Sequence, residues 1–373
     1  MKDDALPPPD QVPGAPHPRE TPHLFGQDEA ERAFLSAFTS GRLHHGWLLT
    51  GPRGVGKATL AWRIARFLLA TPEAEEDGLF GAPPPPETLD VDPDHPVAHR
   101  LLAGSDPGLA AITRSASETT GRMRNEIVVD DIRALNRFFG LSSADGGRRV
   151  VIVDCADEMN VSAANALLKM LEEPPARTTL LLISHRPSGL LPTIRSRCRT
   201  LRLNPLAADD MRAALEQAGA ELPGNADHLA ALAAGSVGAA LRLTALGGLD
   251  IYTELMGVLG SLPRLDRPRA LALAEAAAQR GAAERFELLL DLVDTALARL
   301  ARTGAVGAPP APEAASGEAE ILSRLSPDAY RARAWADAAA EITARSRHGR
   351  AVNLDPAALV LDTVFRMQKT AAG

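Results

Sequence analysis

The chain reads as an α/β protein: a P-loop, doubly wound parallel sheet followed by a small helical lid and an all-α C-terminal region. Three observations predict that class. First, Gly51-Pro52-Arg53-Gly54-Val55-Gly56-Lys57-Ala58 follows the phosphate-loop pattern G-x-x-x-x-G-K-[ST] at three of its four specified positions. Second, continuous apolar runs alternate with helical periodicities between residues 20 and 205, as strands buried on both faces alternate with covering helices. Third, beyond Pro205 strand signals fade and alanine- and leucine-rich helical patterns take over.

Taken in order, residues 1–20 are dense in proline and charge, which predicts a flexible arm. Ala30, Ala33, Phe34, Ala37 and Phe38 then recur at helical spacing. Gly46 to Thr50 forms a short buried strand, the glycine loop follows, and an apolar-faced helix occupies 59–70, so the loop has the strand–loop–helix context that it requires. The acidic, proline-rich insert at 71–94 is expected to be a loop or disordered. Leu109, Ala110, Ala111 and Ile112 predict the next strand, followed by a polar hairpin or loop through Asn125. A helix over 129–141 carries Asp130 and Asp131 at its positive end and turns Ile132, Leu135, Phe138 and Phe139 inward. Residues 149–154, Arg-Val-Val-Ile-Val-Asp, form a central strand ending in a carboxylate. A helix over 162–173 stops at Pro174-Pro175, a buried strand follows at 179–184, and a short helix at 190–197 leads to a last strand at 199–203.

The domain boundaries follow: an arm at 1–20, the P-loop domain at 21–205, the lid at 206–245, and a helical domain at 246–373. The last contains a strong helix over 285–302, a Gly/Pro/Ala linker over 303–317 and two terminal helices.

Composition excludes several function classes. With 40 basic and 47 acidic residues the formal charge is −7, so the chain as a whole does not attract nucleic acid. Aromatics are only 4%, too few for extended base-stacking platforms. Two cysteines, Cys155 and Cys198, cannot make a disulfide framework or a four-cysteine zinc site, and a reducing cytoplasm is the expected location. No apolar run approaches the ~18 residues of a membrane span. No carboxylate cluster suited to two-metal nucleotidyl transfer stands out.

The P-loop residues Gly51, Gly54, Gly56 and Lys57 suit phosphate, because the glycines let backbone N–H groups curl around it and the lysine reaches terminal oxygens. Ala58, however, lacks the hydroxyl that would ligate Mg²⁺. Thr59 lies roughly 100° further around the helix and cannot simply replace it. Asp154 is the Walker B candidate, with capping of a helix starting near Met159 as the alternative. The next residue, Cys155, stands where a hydrolytic enzyme has a glutamate base. Lys57 either binds a nucleotide's phosphates or pairs with Asp154 across an empty loop. Ser184 ends a strand where its hydroxyl meets either phosphate or backbone. Arg148-Arg149 and Arg195, Arg199 and Arg202 are local basic features, read as solvated or partner-facing.

Two further segments carry a family resemblance: Asn165-Ala166-Leu167-Leu168-Lys169-Met170-Leu171-Glu172-Glu173-Pro174-Pro175 and Ser196-Arg197-Cys198. Together they resemble the AAA+ subunits of bacterial DNA polymerase III clamp loaders across roughly residues 22–245. The resemblance implies that Arg197 projects into a neighbour's ATP site as a finger, within the motif of Ser196 and Cys198. A guanidinium suits that task because it is planar, always charged and able to place two donors on a phosphate. Hydrolysing members of the family have a complete P-loop, an Asp-Glu pair and a sensor arginine, whereas this chain has Ala58, Asp154-Cys155 and Gly238. All three departures strike one catalytic job, while the finger turn is whole.

The resemblance is therefore greatest to a member that does not hydrolyse ATP itself. It implies a helical collar over 246–373, gamma/tau-like ATPase and delta-like subunits as partners, and access to sliding clamp and primed DNA through the complex. It also implies no required cofactor, ATP or ADP at most held without hydrolysis, no metal at the site, and no zinc. The polymerase activity of such a holoenzyme resides in another subunit. The competing reading is a hydrolytically active AAA+ ATPase, a gamma/tau-like subunit or helicase-like motor, favoured by intact Lys57 and Asp154.

Overall fold

In the computed structural model, residues 8–12, 15–71, 84–140, 147–220, 224–279 and 281–373 are described. The chain divides into two compact units. One comprises the described residues up to Ala220 together with Gly235–Gly238; the other comprises those of Glu221–Ala234 and Ala239–Gly373.

The first unit contains α1 (Asp28–Thr39), β1 (Gly46–Thr50), α2 (Lys57–Ala70), α3 (Pro96–Leu102), β2 (Leu109–Ile112), α4 (Val129–Gly140), β3 (Arg149–Val153), α5 (Val161–Glu172), β4 (Thr178–Ser184), α6 (Pro192–Arg195), β5 (Arg199–Arg202) and α7 (Ala208–Gln217). Its five strands are all parallel, in the order β2-β3-β4-β1-β5. β1 and β4 are buried along their whole length, as two-sided coverage requires. On one face Leu48, Val151, Val153, Leu180 and Leu182 pack with Ile132 and Leu135 of α4 and Ala163, Leu167 and Leu171 of α5. On β1, Trp47 meets Phe34 of α1 with ring centroids 4.9 Å apart. α5 starts where the Asn160 side chain accepts from the Ala163 N–H, and it ends just before Pro174-Pro175. Asn160, not Asp154, is thus the cap of that helix. The polar segment before α4 folds back through an antiparallel bridge between Ala116 and Met123.

Register decides which strand ends meet. Thr50 pairs with Ser184, and Val153 with Leu182, so the carboxyl ends of β1, β3 and β4 lie side by side. In an open parallel sheet this edge is where ligands bind.

The expected arm at 1–20 differs in its described part. His17 is buried, pairs through Nε2 with Asp10 at 3.0 Å, and meets the Trp62 ring of α2 edge-on. Residues 1–7 and 13–14 lie outside the described residues, as do 72–83 of the expected insert. The rest of that insert is anchored: Leu89 is buried and Asp90 pairs with Arg63 at 3.0 Å. An apolar side chain and a buried guanidinium each found partners there that the local composition did not reveal.

The second unit is helical: α8 (Ala226–Ala233), α9 (Val237–Leu246, after its first two residues), α10 (Gly248–Ser261), α11 (Arg267–Ala278), α12 (Ala283–Val306), α13 (Glu318–Leu325), α14 (Ala329–Ala351) and α15 (Pro356–Ala372). The expected lid at 206–245 is shared between the units: α7 falls in the first, α8 and most of α9 in the second. Nor is 303–317 a free linker. α12 continues to Val306, and Ala314 and Ala315 are buried. Glu318, 1% exposed, explains why. Its carboxylate accepts from the Tyr252 hydroxyl (2.6 Å), from Arg299 Nε and Nη2 (2.7 and 2.8 Å) and from the Ala314 N–H (2.6 Å). A buried carboxylate with this many donors folds the segment back on itself. Three helices follow it, where two were expected, because α13 is short.

Removing that carboxylate leaves Arg299 charged and largely enclosed. Glu318→Ala should lower the stability of the helical unit by about 3–5 kcal/mol, measurable as an earlier urea midpoint in circular dichroism.

Candidate functional site

β1 delivers the P-loop into the strand-end crevice. Gly51, Gly54 and Gly56 hold φ of 144°, 77° and 98°, conformations that other residues reach only with strain. Space also demands glycine: a Cβ on Gly51 would stand 2.3 Å from the Leu203 carbonyl oxygen. Buried Gln27, which the sequence reading passed over, fixes the loop. Its amide donates to the carbonyls of Val55 (3.2 Å) and Asn204 (2.8 Å), and its oxygen accepts from the Asn204 N–H (3.1 Å). A polar residue just before a helix start was the available signal.

Lys57 is 3% exposed and donates to the carbonyls of Gly51, at 2.9 Å, and Pro52. Among the described residues no ion pair joins it to Asp154. Burial pushes its ammonium down to about 8, partly offset by the Asp154 charge. Asp154 itself is pushed up to about 6 by burial and then by the charge of Asp10. Asp10 belongs to the N-terminal segment, whose Val12 also approaches Gly238.

The other end of the loop meets residues 236–238. The Ser236 hydroxyl donates to the Arg53 carbonyl at 2.8 Å, and the Gly238 N–H donates to the Gly54 carbonyl at 3.0 Å. A Cβ on Gly238 would lie 2.9 Å from Gly54 Cα. Two glycine backbones are therefore in contact at the position where the sequence reading noted a missing sensor arginine.

The residues after β3 meet the end of β4 and the segment after β2. Cys155 follows Asp154 directly in a left-handed conformation, φ 59°. Its Sγ lies 3.3 Å from His185 Nε2 and 3.6 Å from Asp154 Oδ1. Burial, reinforced by Asp154, pushes the thiol well up. Asp157 accepts from the His185 N–H at 3.0 Å, and Glu158 pairs with Arg114 at 2.9 Å. Ser184 Oγ is buried without a hydrogen-bond partner. His185 is the group that sequence reasoning missed; adjacency of β3 and β4, legible only once strand order is known, brings it to Cys155. The loop glycines have the backbone conformations that suit a phosphate, Ala58 offers no hydroxyl, and the residue after Asp154 offers a thiol where a carboxylate could have stood.

The Ser196-Arg197-Cys198 turn follows α6. Arg197 Nη2 pairs with Glu172 of α5 at 2.8 Å, and Nη1 donates to the Thr193 carbonyl at 3.1 Å. Both side chains are more than a third exposed. Ser196 Oγ donates to the same carbonyl at 3.1 Å, while Cys198 packs against the sheet core. Among the other basic residues, Arg199 lies over the Trp47 ring, Arg148 over that of Phe38, and Arg149 donates to the Phe139 carbonyl at 2.9 Å. Among the described residues no helix is long and apolar enough to cross a membrane.

Residues 26–207 match the family described as "DNA polymerase III, delta subunit". DNA polymerase III subunit delta' of Pseudomonas aeruginosa is 37% identical over 222 residues, covering 59% of this chain and 61% of that protein. Subunit delta' of Escherichia coli K12 is 32% identical over 214 residues, 56% and 57% of the two chains. Subunit tau of Salmonella typhimurium is 30% identical over 289 residues, 76% of this chain and 41% of that one. The chain thus spans less than two thirds of the length of each of these relatives.

The glycine contact at the P-loop is testable by a matched pair. Gly238→Ala should cost about 1–3 kcal/mol through overpacking and lower the thermal midpoint, whereas Gly140→Ala, at a site with open space around it, should leave the midpoint nearly unchanged.

Proposed function

We propose that this chain, which belongs through residues 26–207 to the DNA polymerase III clamp-loader family and is delta-prime-like, completes a neighbouring subunit's ATP site with Arg197 while its own site stays catalytically silent. The observation that carries this reading is the contrast between two places in one domain. The Ser196-Arg197-Cys198 turn is whole, and its guanidinium rests at the surface on an exposed ion pair with Glu172. Pairs of that kind are worth ~0–1 kcal/mol, so a γ-phosphate presented by a neighbour outcompetes it at little cost. The chain's own P-loop, by contrast, lacks the Mg²⁺ hydroxyl and the general base.

In this role the chain works in the cytoplasm beside gamma/tau-like ATPase subunits and a delta-like subunit, and reaches the sliding clamp and primed DNA through the assembly. The helical region acts as the collar; exposed Tyr330, Leu354 and Phe365 give it apolar surface to bury against partners. No cofactor is required. ATP or ADP held without hydrolysis is compatible with the loop glycines, and the role calls for no zinc.

The similarity to tau extends over more of this chain than that to delta', which favours a second reading, a hydrolysing ATPase. Two measurements separate them. Purified chain alone should show no ATP turnover above background, with or without primed DNA; a DNA-stimulated rate abolished by Lys57→Ala would establish the motor instead. In a reconstituted loader, Arg197→Ala should slow the adjoining site by about 10³-fold or more while the assembly still forms on gel filtration, and unchanged turnover would remove the finger.

A further inference from the structure

At the ends of β3 and β4, Asp154, Cys155 and His185 bring a carboxylate, a thiol and an imidazole within 4.8 Å of one another, and neither the thiol nor the imidazole has a part in the function proposed above. We propose that these three side chains form a binding site for one thiophilic divalent cation, with zinc as the type, independent of nucleotide. It is not the four-cysteine module, which two cysteines cannot build, and it shares only Asp154 with a Mg²⁺–nucleotide site.

Geometry carries the assignment. A tetrahedral zinc, with Zn–S of about 2.3 Å and Zn–N or Zn–O of about 2.0–2.1 Å, holds its ligand atoms about 3.3–3.6 Å apart. Cys155 Sγ is 3.3 Å from His185 Nε2 and 3.6 Å from Asp154 Oδ1. Two edges of the ligand triangle therefore already have the required length. The third, from carboxylate to imidazole, closes by at most ~1.5 Å, within reach of a side-chain torsion. The fourth position is left to water. Cys155 also keeps a left-handed backbone conformation, unfavourable for a residue with a Cβ, at the point where its sulfur meets both other ligands.

Charge is compatible as well. Lys57, a neighbouring cation, is hydrogen-bonded to the carbonyls of Gly51 and Pro52. As the Sγ–metal bond forms, the thiol proton leaves to solvent, and thiolate and carboxylate together cancel the ion's two charges. The sulfur and imidazole select against Mg²⁺, which favours oxygen ligands.

The test uses the full chain, stripped with chelator and titrated with Co²⁺. The expected result is one ion per chain by elemental analysis, with a near-ultraviolet sulfur-to-cobalt charge-transfer band that Zn²⁺ abolishes. Cys155→Ser should lose the band, Cys198→Ser should keep it, and His185→Gln should weaken binding by at least about tenfold, with unchanged circular dichroism certifying that each variant is folded. Should a variant unfold, the wild-type stoichiometry and band decide alone. Absence of stoichiometric cobalt, a band that follows Cys198, or displacement of the ion by excess Mg²⁺ would overturn the site.

Discussion

Parallel register is the constraint on which the rest of the molecule depends. Because β1, β4 and β3 run the same way and pair with their ends nearly level, three loops with no sequence relation converge on one edge. The P-loop, the Asp154-Cys155 corner and Ser184-His185 are neighbours only through that pairing. A shift of one residue along any strand would exchange the side chains packed on its two covered faces and scatter the corner. The largely apolar runs of β3 and β4 serve chemistry indirectly, through side chains fitted to a particular face.

Within the crevice, burial dominates over charge pairing. Lys57 and Asp154 are both moved toward neutrality, and each senses the other without a direct bond. The ammonium of Lys57 donates to two carbonyls of its own loop, those of Gly51 and Pro52. The N-terminal segment contributes through Asp10, whose carboxylate adds negative charge beside Asp154. In the helical unit the buried carboxylate of Glu318 is instead met by several donors.

Much of this was legible in the sequence. All five strands stand where apolar runs predicted them, and the glycines of the P-loop hold positive φ, conformations open to glycine, as a loop that curls its backbone requires. What local reading missed depends on long-range contact. Pro-rich residues 8–20 resemble a mobile arm until His17 finds Asp10 and Trp62; residues 303–317 resemble a linker until the Glu318 carboxylate gathers them. His185 carries no local signal at all, since its meeting with Cys155 follows from strand order. Of the two alternatives for Lys57, pairing with Asp154 is not found among the described residues; backbone carbonyls of its own loop, which local sequence did not suggest, hold the ammonium.

The contact between Gly54 and Gly238 has a bearing on how this domain can change over time. It places main chain against main chain, so supplying Ser at 58, Glu at 155 and Arg at 238 would not act as three independent repairs. The third has no room until the loop itself shifts, and the loop is pinned by Gln27 and Ser236. Such a steric interlock ties the side chain at 238 to the backbone of the loop: a larger residue there is accommodated only through backbone rearrangement, not by side-chain exchange.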